Sequence, residues 1–527
     1  MREHIVALCY ILLIAGVCFA LMYKPMTARL MSVSDFQRRV GLWFAVTLIT
    51  FLAHNYWLAM LGAALVIATV ARRETNPVAL YCMLLFAVPQ FTMQVPAFGL
   101  VNYLFDVDHP RMLALVLLVP AALRLMQHPR AHNPRLLVAD TLFILYFLYG
   151  VLAHAAVDTV TLLMRHVLNM ALDHWLLYYV VTRWVTDRQR FYDVLSCFTM
   201  AVTVAALIGA FETSRGWLVY QSLAGPLEVP AGEITAYLMR VSEDGAYLRA
   251  SVAMGHAIAF GYVVMIALCF QLALVGRYSP RWLSLGIITL LIAGIAASLS
   301  RGPWLGCAVA VLIGLSFGPG ALRRLVWMAA LLPLLLAALL ILPQGDRIID
   351  MLPFVGTVES GNVTYRQQLI DRALIVFWQN PIFGSLYFIS NPVLEEMRQG
   401  QGIIDIVNSY VGVALAYGGV GLLLFVAPSL WVVAHALMTR SRLTQVGHET
   451  EIAGRAVVAA IIGTLLVIGT SSYILHIPIV HWMLVGLCAS YAAWAPTWRT
   501  RAAQPNLHGA PSPVHARRPA PRPAWRG

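Results

Sequence analysis

Three arginines next to the ends of long apolar runs have the chemistry of a phosphate-binding site. Arg249 precedes one run, Arg301 lies in a short turn between two others, and Arg366 lies in a long polar segment. A guanidinium presents a planar fork of donors that holds a phosphate through two parallel hydrogen bonds. We therefore predict that these arginines bind a diphosphate. For Arg301 the alternative is a side chain that only reaches the phosphates of membrane lipids.

A polar group at the head of the apolar run 403–435 has the chemistry of a general base. Asp405, Asn408 and Ser409 are spaced three and four apart, which would put them on one face of a helix, and Tyr410 follows. We predict that Asp405 accepts the proton of an attacking hydroxyl and that Asn408 and Tyr410 position it. The alternative is that Asp405 only caps the start of the helix.

Other residues are candidates for the same base. His256 is the only ionisable side chain well inside an apolar run between positions 251 and 342. Glu395 and Glu396 lie in the long polar segment that contains Arg366. That segment also contains an amphipathic helix that ends at Asn380-Pro381, and we predict that it lies on the membrane surface as a lid.

The elements that position these residues are transmembrane helices. The chain has 527 residues, of which 60% are hydrophobic and only 11% are charged. Apolar runs of some twenty residues recur along it, as a bilayer core of about 30 Å requires. We predict an all-α polytopic membrane protein with twelve to fourteen transmembrane helices. The segment 41–71 is either one span or two, and the segment 167–182 is a half-polar span.

The arginines of the short loops predict which way the spans face. Alternate loops carry paired arginines, such as Arg72 with Arg73, and are predicted to be cytoplasmic. The long loops 213–250 and 343–402 then face the periplasm. The segment 24–40 is cytoplasmic only if 41–71 is two spans. Four regions follow from this pattern, namely helices over 1–250, a core over 251–435, helices over 436–496, and a disordered basic, proline-rich cytoplasmic tail over 497–527.

The composition also excludes several classes of protein. Lys24 is the only lysine, so the chain has no phosphate-binding loop, which needs a lysine after its glycines. The apolar runs between 251 and 342 contain no acid or lysine, which argues against an ion-coupled pump. The cysteines all lie in apolar runs and predict neither disulfides nor a zinc site. Asp106-Val-Asp108 is the pattern of a divalent-cation site, but we favour an ordinary acidic turn and predict no metal or cofactor.

Four stretches together resemble the O-antigen ligase and O-antigen polymerase superfamily. They are the segment around Arg249, the Ser-Arg-Gly hairpin at 300–302, the Arg…Pro-x-Phe-Gly helix at 366–384, and the Asn-x-Tyr entry at 408–410 into a glycine-rich span. The resemblance covers about 249–435. Where ligases of this family carry a histidine before Asn-x-Tyr, this chain has Val407.

The resemblance implies a glycosyltransferase of the bacterial inner membrane. Its donor would be an oligosaccharide on undecaprenyl diphosphate, used at the periplasmic face without a metal. We predict a polymerase of exopolysaccharide or O-antigen repeat units; the alternatives are a ligase that moves the glycan onto lipid A core and, in another class, a transporter or flippase of lipid-linked sugars. Membrane lipids and other polysaccharide-assembly proteins are the expected partners, and nucleic acid is not.

Overall fold

The computed structural model describes most of the chain. The described residues are 3–97, 99, 102–127, 133–229, 239–242, 245–277, 281–317, 320–341, 360–398, 402–442 and 448–502. The predicted disordered tail lies outside them from 503 onward. Its first residues, 497–502, belong to the last helix, which continues to Ala502.

The described residues up to 229 form mainly helices, with a β-hairpin among them. The helices are α1 (Glu3–Arg29), α2 (Val33–Leu52), α3 (Tyr56–Ala71), α4 (Pro77–Leu84), α5 (His109–Met126), α6 (Leu137–Ala155), α7 (Val160–Met170), α8 (Leu176–Trp184) and α9 (Arg188–Arg215). The hairpin consists of β1 (Met93–Pro96) and β2 (Tyr103–Val107), which pair antiparallel. Two π-helical turns interrupt the helices, one inside α5 at Ala114–Leu118 and one between α7 and α8 at Ala171–Trp175.

The second half begins with another antiparallel hairpin, β3 (Met239–Ser242) with β4 (Gly245–Leu248). Its helices are α10 (Ala257–Leu274), α11 (Arg281–Ala297), α12 (Arg301–Leu315), α13 (Ala321–Ile341), α14 (Ser360–Gln379), α15 (Pro392–Glu395), α16 (Ser409–Arg442), α17 (His448–Ile468) and α18 (His476–Ala502). The predicted all-α polytopic class is confirmed. Among the described residues, eight helices are long and apolar enough to cross a membrane and three apolar helices are shorter.

The segment 41–71 is two helices rather than one span. The chain breaks between α2 and α3, where the Asn55 side chain accepts a hydrogen bond from the Trp57 backbone N–H at 2.8 Å and caps α3. The apolar run 78–95 does not form one membrane-spanning helix either, because only α4 is helical there and its 8 residues cannot cross a bilayer. Pro89 follows α4 and has no N–H to continue a helix, so the chain turns toward β1 instead.

An ion-pair cluster joins the ends of three helices at the predicted cytoplasmic side. Arg39 of α2 is fully buried and contacts Glu74 at 2.6 Å and Asp193 of α9 at 2.5 Å. Glu74 follows Arg72 and Arg73, so residues 24–40 lie at the same end of the bundle as that loop. This is the arrangement expected when 41–71 forms two spans.

The helices nearest the centre are buried on nearly all sides. In α9, α10 and α18 most side chains are inaccessible, whereas α3 exposes Leu58, Leu61 and Leu65 on one face. An apolar helix face that makes no protein contacts is typical of a surface that packs against lipid chains. The bundle interior contains more charge than the sequence suggested, because Arg111 of α5 forms a two-pronged ion pair with Asp173 of the π turn at 2.8 Å.

Candidate active site

The turn between α11 and α12 holds Arg301 against another loop of the same face. Arg301 is the first residue of α12 and is half-buried. A side-chain carbon at Gly302 would overlap the Thr470 hydroxyl oxygen, so the Thr470 side chain packs directly on this glycine. Arg301 is therefore fixed beside the loop that follows α17.

Arg249 reaches the same turn from the other side. Its Nη2 donates to the Ser300 hydroxyl at 2.8 Å, one residue from Arg301. The segment that carries Arg249 is anchored by Glu212, a buried carboxylate that accepts the backbone N–H groups of Ser251 and Val252 at 3.1 and 3.0 Å. Sequence analysis did not single out Glu212, because its partners are backbone groups that leave no sequence signal.

His256 lies close to Arg249 at the start of α10. Its Nδ1 accepts the Ile258 N–H at 3.2 Å, so the ring caps the helix. Burial, together with the nearby charge of Arg249, lowers the pKa of His256 to about 4. The ring is thus neutral at pH 7, and with Nδ1 accepting a hydrogen bond the proton is on Nε2.

Asp405 lies on the far side of the same loop. The Ser472 hydroxyl donates to its Oδ1 at 2.7 Å, and Ser472 is two residues from Thr470, which contacts Gly302. The segment 470–472 therefore joins the arginine turn to the carboxylate. Sequence analysis had not singled out Ser472, which lies in an ordinary-looking Thr-Ser-Ser loop.

The start of α16 differs from the sequence prediction. The helix begins at Ser409, so Asp405 and Asn408 precede it and do not share a helix face with Ser409 as predicted. Asn408 is the capping residue, because its Oδ1 accepts the backbone N–H groups of Tyr410 at 3.0 Å and Val411 at 3.2 Å. The capping role considered for Asp405 therefore belongs to Asn408. The Tyr410 hydroxyl donates to the Leu465 carbonyl at 2.6 Å.

Arg366 lies on α14, next to a tyrosine that contacts the segment of Asp405. The neighbouring Tyr365 hydroxyl donates to the Asp405 carbonyl at 3.2 Å, which fixes α14 against the segment that carries the carboxylate. The Arg366 side chain is exposed. Glu395 and Glu396 are also exposed and bind Arg398 at 2.6 Å and Arg372 at 2.5 Å respectively. These two acids are engaged on the exposed surface of the segment 360–398, which contains the predicted lid helix and is called the lid below.

The lid is joined to the membrane bundle at two glycines. Gly384 follows α14, and Gly418 breaks α16 with φ 67° and ψ −170°. Three backbone hydrogen bonds join the segments: Ser385 N–H to the Leu415 carbonyl at 2.8 Å, Gly419 N–H to the Pro381 carbonyl at 2.8 Å, and Val420 N–H to the Ile382 carbonyl at 3.2 Å. The backbones meet so closely that a side-chain carbon at either glycine would overlap the other segment.

Asp106 and Asp108 do not form a paired site. Asp108 caps α5, where its carboxylate accepts from the Arg111 N–H at 2.9 Å and the Gln90 amide at 3.0 Å. Burial raises the pKa of Asp108 to about 6. Asp106 contributes its backbone carbonyl to Arg111. Within the described ranges, no three His, Cys, Asp or Glu side chains lie close enough together to hold a metal ion.

Comparison with known families agrees with this geometry. No curated protein matches the chain. Residues 286–426 match the family model described as O-Antigen ligase, a segment inside the predicted core that contains Arg301, Arg366, Asp405 and both junction glycines. The predicted resemblance to the O-antigen ligase and O-antigen polymerase superfamily is thus confirmed, and the chain is a multi-pass membrane protein of polysaccharide assembly.

Proposed function

We propose that the protein is an inner-membrane glycosyltransferase that polymerises repeat units of an exopolysaccharide or O-antigen at the periplasmic face. Its substrates are oligosaccharides carried on undecaprenyl diphosphate. The observation that carries the proposal is the segment 470–472, which contacts both the Arg301 turn and Asp405. A phosphate clamp and a base side by side are what displacement at a diphosphate-linked sugar needs.

In the proposed reaction, a sugar hydroxyl of the acceptor attacks the anomeric carbon of the donor. The new carbon–oxygen bond forms as the bond to the diphosphate breaks, and undecaprenyl diphosphate leaves with the bonding electrons. Arg249, Arg301 and Arg366 stabilise the growing negative charge on the diphosphate. The hydroxyl proton passes to Asp405. Because the donor is already activated, the reaction requires no nucleotide.

The remaining site residues have supporting roles in this proposal. Asn408 and Tyr410 hold the segment behind Asp405 by capping α16 and by bonding to Leu465. His256 acts as a neutral donor through Nε2, because its Nδ1 is occupied by the Ile258 N–H. The Ser472 hydroxyl occupies one oxygen of Asp405 and orients the carboxylate.

One observation bears on each of two alternatives. A ligase acting on lipid A core agrees equally with the family match, and Val407 in place of the ligase histidine is the observation that favours a polymerase. A transporter of lipid-linked sugars would need charged groups inside the bundle, where Arg111 forms an ion pair with Asp173. Both charges of that pair are fully engaged with each other, which suits a structural role better than a coupling site.

A reconstituted assay tests the proposal. Purified protein in liposomes is given lipid-linked repeat units alone, and the products are separated by size. A ladder of longer lipid-linked glycans is expected. Products that form only when lipid A core is added would identify a ligase. Movement of lipid-linked sugar across the bilayer without a new glycosidic bond would identify a transporter.

A further inference from the structure

A cavity opens at the predicted cytoplasmic end of the bundle, next to the ion-pair cluster of Arg39. The ends of α3, α5 and α8 and the start of α4 surround it, and its volume is about 220 Å³. Pockets for whole small molecules usually measure about 300–1,000 Å³, so this one suits a ligand the size of a headgroup. The residues that line it include Ala68, Arg72, Pro77, Leu117, Arg124 and Trp184.

Two arginines of this cavity have unused hydrogen-bond donors. Arg72 and Arg124 are exposed, and neither has a hydrogen-bond or ion-pair partner among the residues that the structure describes. The acid of the lining, Glu74, is buried and already bound to Arg38 at 3.0 Å and to Arg39 at 2.6 Å. The cavity therefore presents net positive charge and two guanidinium groups, which is the chemistry that binds a phosphate.

The remaining wall of the cavity is apolar and continues onto the outer face of the bundle. Ala68 and Leu117 line the cavity, and Leu65, one helical turn before Ala68 on α3, is exposed. On α5, Leu123 precedes Arg124 and is exposed as well. A free phosphate gains nothing from an apolar surface, whereas the chains of a phospholipid pack on it while the phosphate reaches the arginines.

Trp184 indicates that the cavity lies at the depth of lipid headgroups. Its ring N–H donates to the Thr75 carbonyl at 3.3 Å, and the Arg190 guanidinium lies 5.9 Å from the ring centroid. Tryptophan is enriched where a bilayer meets water, because one end of its ring system is apolar and the other is polar. The two arginines of the cavity are thus placed where the phosphates of the leaflet lie.

We propose that this cavity binds the headgroup of an anionic phospholipid of the cytoplasmic leaflet, with Arg72 and Arg124 donating to its phosphate. A headgroup with a net negative charge is favoured over a zwitterionic one, because the ammonium of the latter would lie beside two arginines. Glu74 of the wall belongs to the ion-pair cluster that joins α2 and α9, so the bound lipid stabilises the helix ends around that cluster. The site does not depend on the proposed function.

Native mass spectrometry of the purified full-length protein tests the cavity. The probes are phosphatidylglycerol, phosphatidylethanolamine and inorganic phosphate, each titrated alone, and the readout is the Kd of the first bound molecule. Phosphatidylglycerol should bind at least about tenfold more tightly than either of the other two probes. Arg72→Gln and Arg124→Gln should each weaken its binding roughly ten- to hundredfold, as the loss of one hydrogen bond from a charged donor predicts.

Two further variants separate the cavity from general attraction to basic loops. Arg73→Gln removes the same charge one position from Arg72, outside the cavity lining, and should change the Kd by about fivefold at most. Ala68→Phe fills the cavity without changing the charge and should weaken binding as much as Arg72→Gln does. All variants should elute from a sizing column as wild type does.

Three results would overturn the proposal: equal affinity for the two lipids, equal losses in Arg72→Gln and Arg73→Gln, or wild-type affinity in Ala68→Phe. Inorganic phosphate that binds as tightly as phosphatidylglycerol would also overturn it, because the ligand would then be a free phosphate rather than a lipid.

Discussion

The junction between the lid and the bundle should fail when either glycine gains a side chain. Gly418 has φ 67° and ψ −170°, a conformation that essentially only glycine adopts, and Gly384 has φ 71°. An alanine at 418 costs about 1–3 kcal/mol of backbone strain. Its side-chain carbon would also overlap the Ile382 carbonyl, which accepts one of the three hydrogen bonds of the junction.

The size of the effect follows from what the docked state loses. Alanine at 418 adds the strain and displaces the Ile382 carbonyl from its hydrogen bond with the Val420 N–H, which contributes about 0.5–1.5 kcal/mol, so docking weakens by roughly 2–4 kcal/mol. Since 1.4 kcal/mol is about a factor of ten in an equilibrium, the docked lid should become at least about tenfold less populated. The helices of the bundle should still insert, because the strain is local to the lid.

The assay compares Gly418→Ala and Gly384→Ala with Gly412→Ala. Gly412 is in the same helix, and a side-chain carbon there would meet only Ile406 at 3.5 Å, an ordinary contact. Hydrogen exchange of the Ser385 and Gly419 amides should become fast in the first two variants and stay slow in the control, and polymer synthesis should fall in parallel. Protected amides and normal synthesis in Gly418→Ala would refute the close-approach argument.

Three further predictions concern the active site. Arg301→Ala should abolish transfer in inserted protein, and Arg301→Lys should lose most of it because an ammonium has no two-pronged fork; near-normal transfer by the Ala variant would leave Arg301 a lipid-phosphate contact. Asp405→Asn should keep the Ser472 hydrogen bond but lower the transfer rate by about 10²–10⁴-fold, and unchanged turnover would exclude Asp405 as the base. For His256, the pKa of about 4 in the folded protein lies below the value of 6.5 in the unfolded chain, so stability is lost as the pH falls from 6.5 toward 4. The variant His256→Asn can still cap α10 and should flatten the dependence of Tm on pH between 6.5 and 4. An unchanged slope would contradict the burial of a neutral ring.

Composition and local pattern determined the class of this protein. In a long apolar run that crosses a bilayer, a helix satisfies the backbone N–H and C=O groups within the run itself. The all-α polytopic fold could therefore be predicted without tertiary information. The order of the Arg301 turn, the Arg366 helix and the Asn408 entry also predicted the family. These are local patterns, which can be recognised in a single sequence without knowledge of the contacts that each residue makes.

The tertiary structure decided what those residues contact. No spacing in the sequence reveals that Thr470 touches Gly302 while Ser472 donates to Asp405, since those partners are about 170 and 70 positions apart in the chain. The first turn of α16 was predicted too early because the i, i+3, i+4 spacing cannot show where the first N–H groups are capped, and Asn408 caps them. The hydrogen bond between His154 and Tyr417 was missed for the same reason, because α6 and α16 are distant in sequence and only packing brings them together.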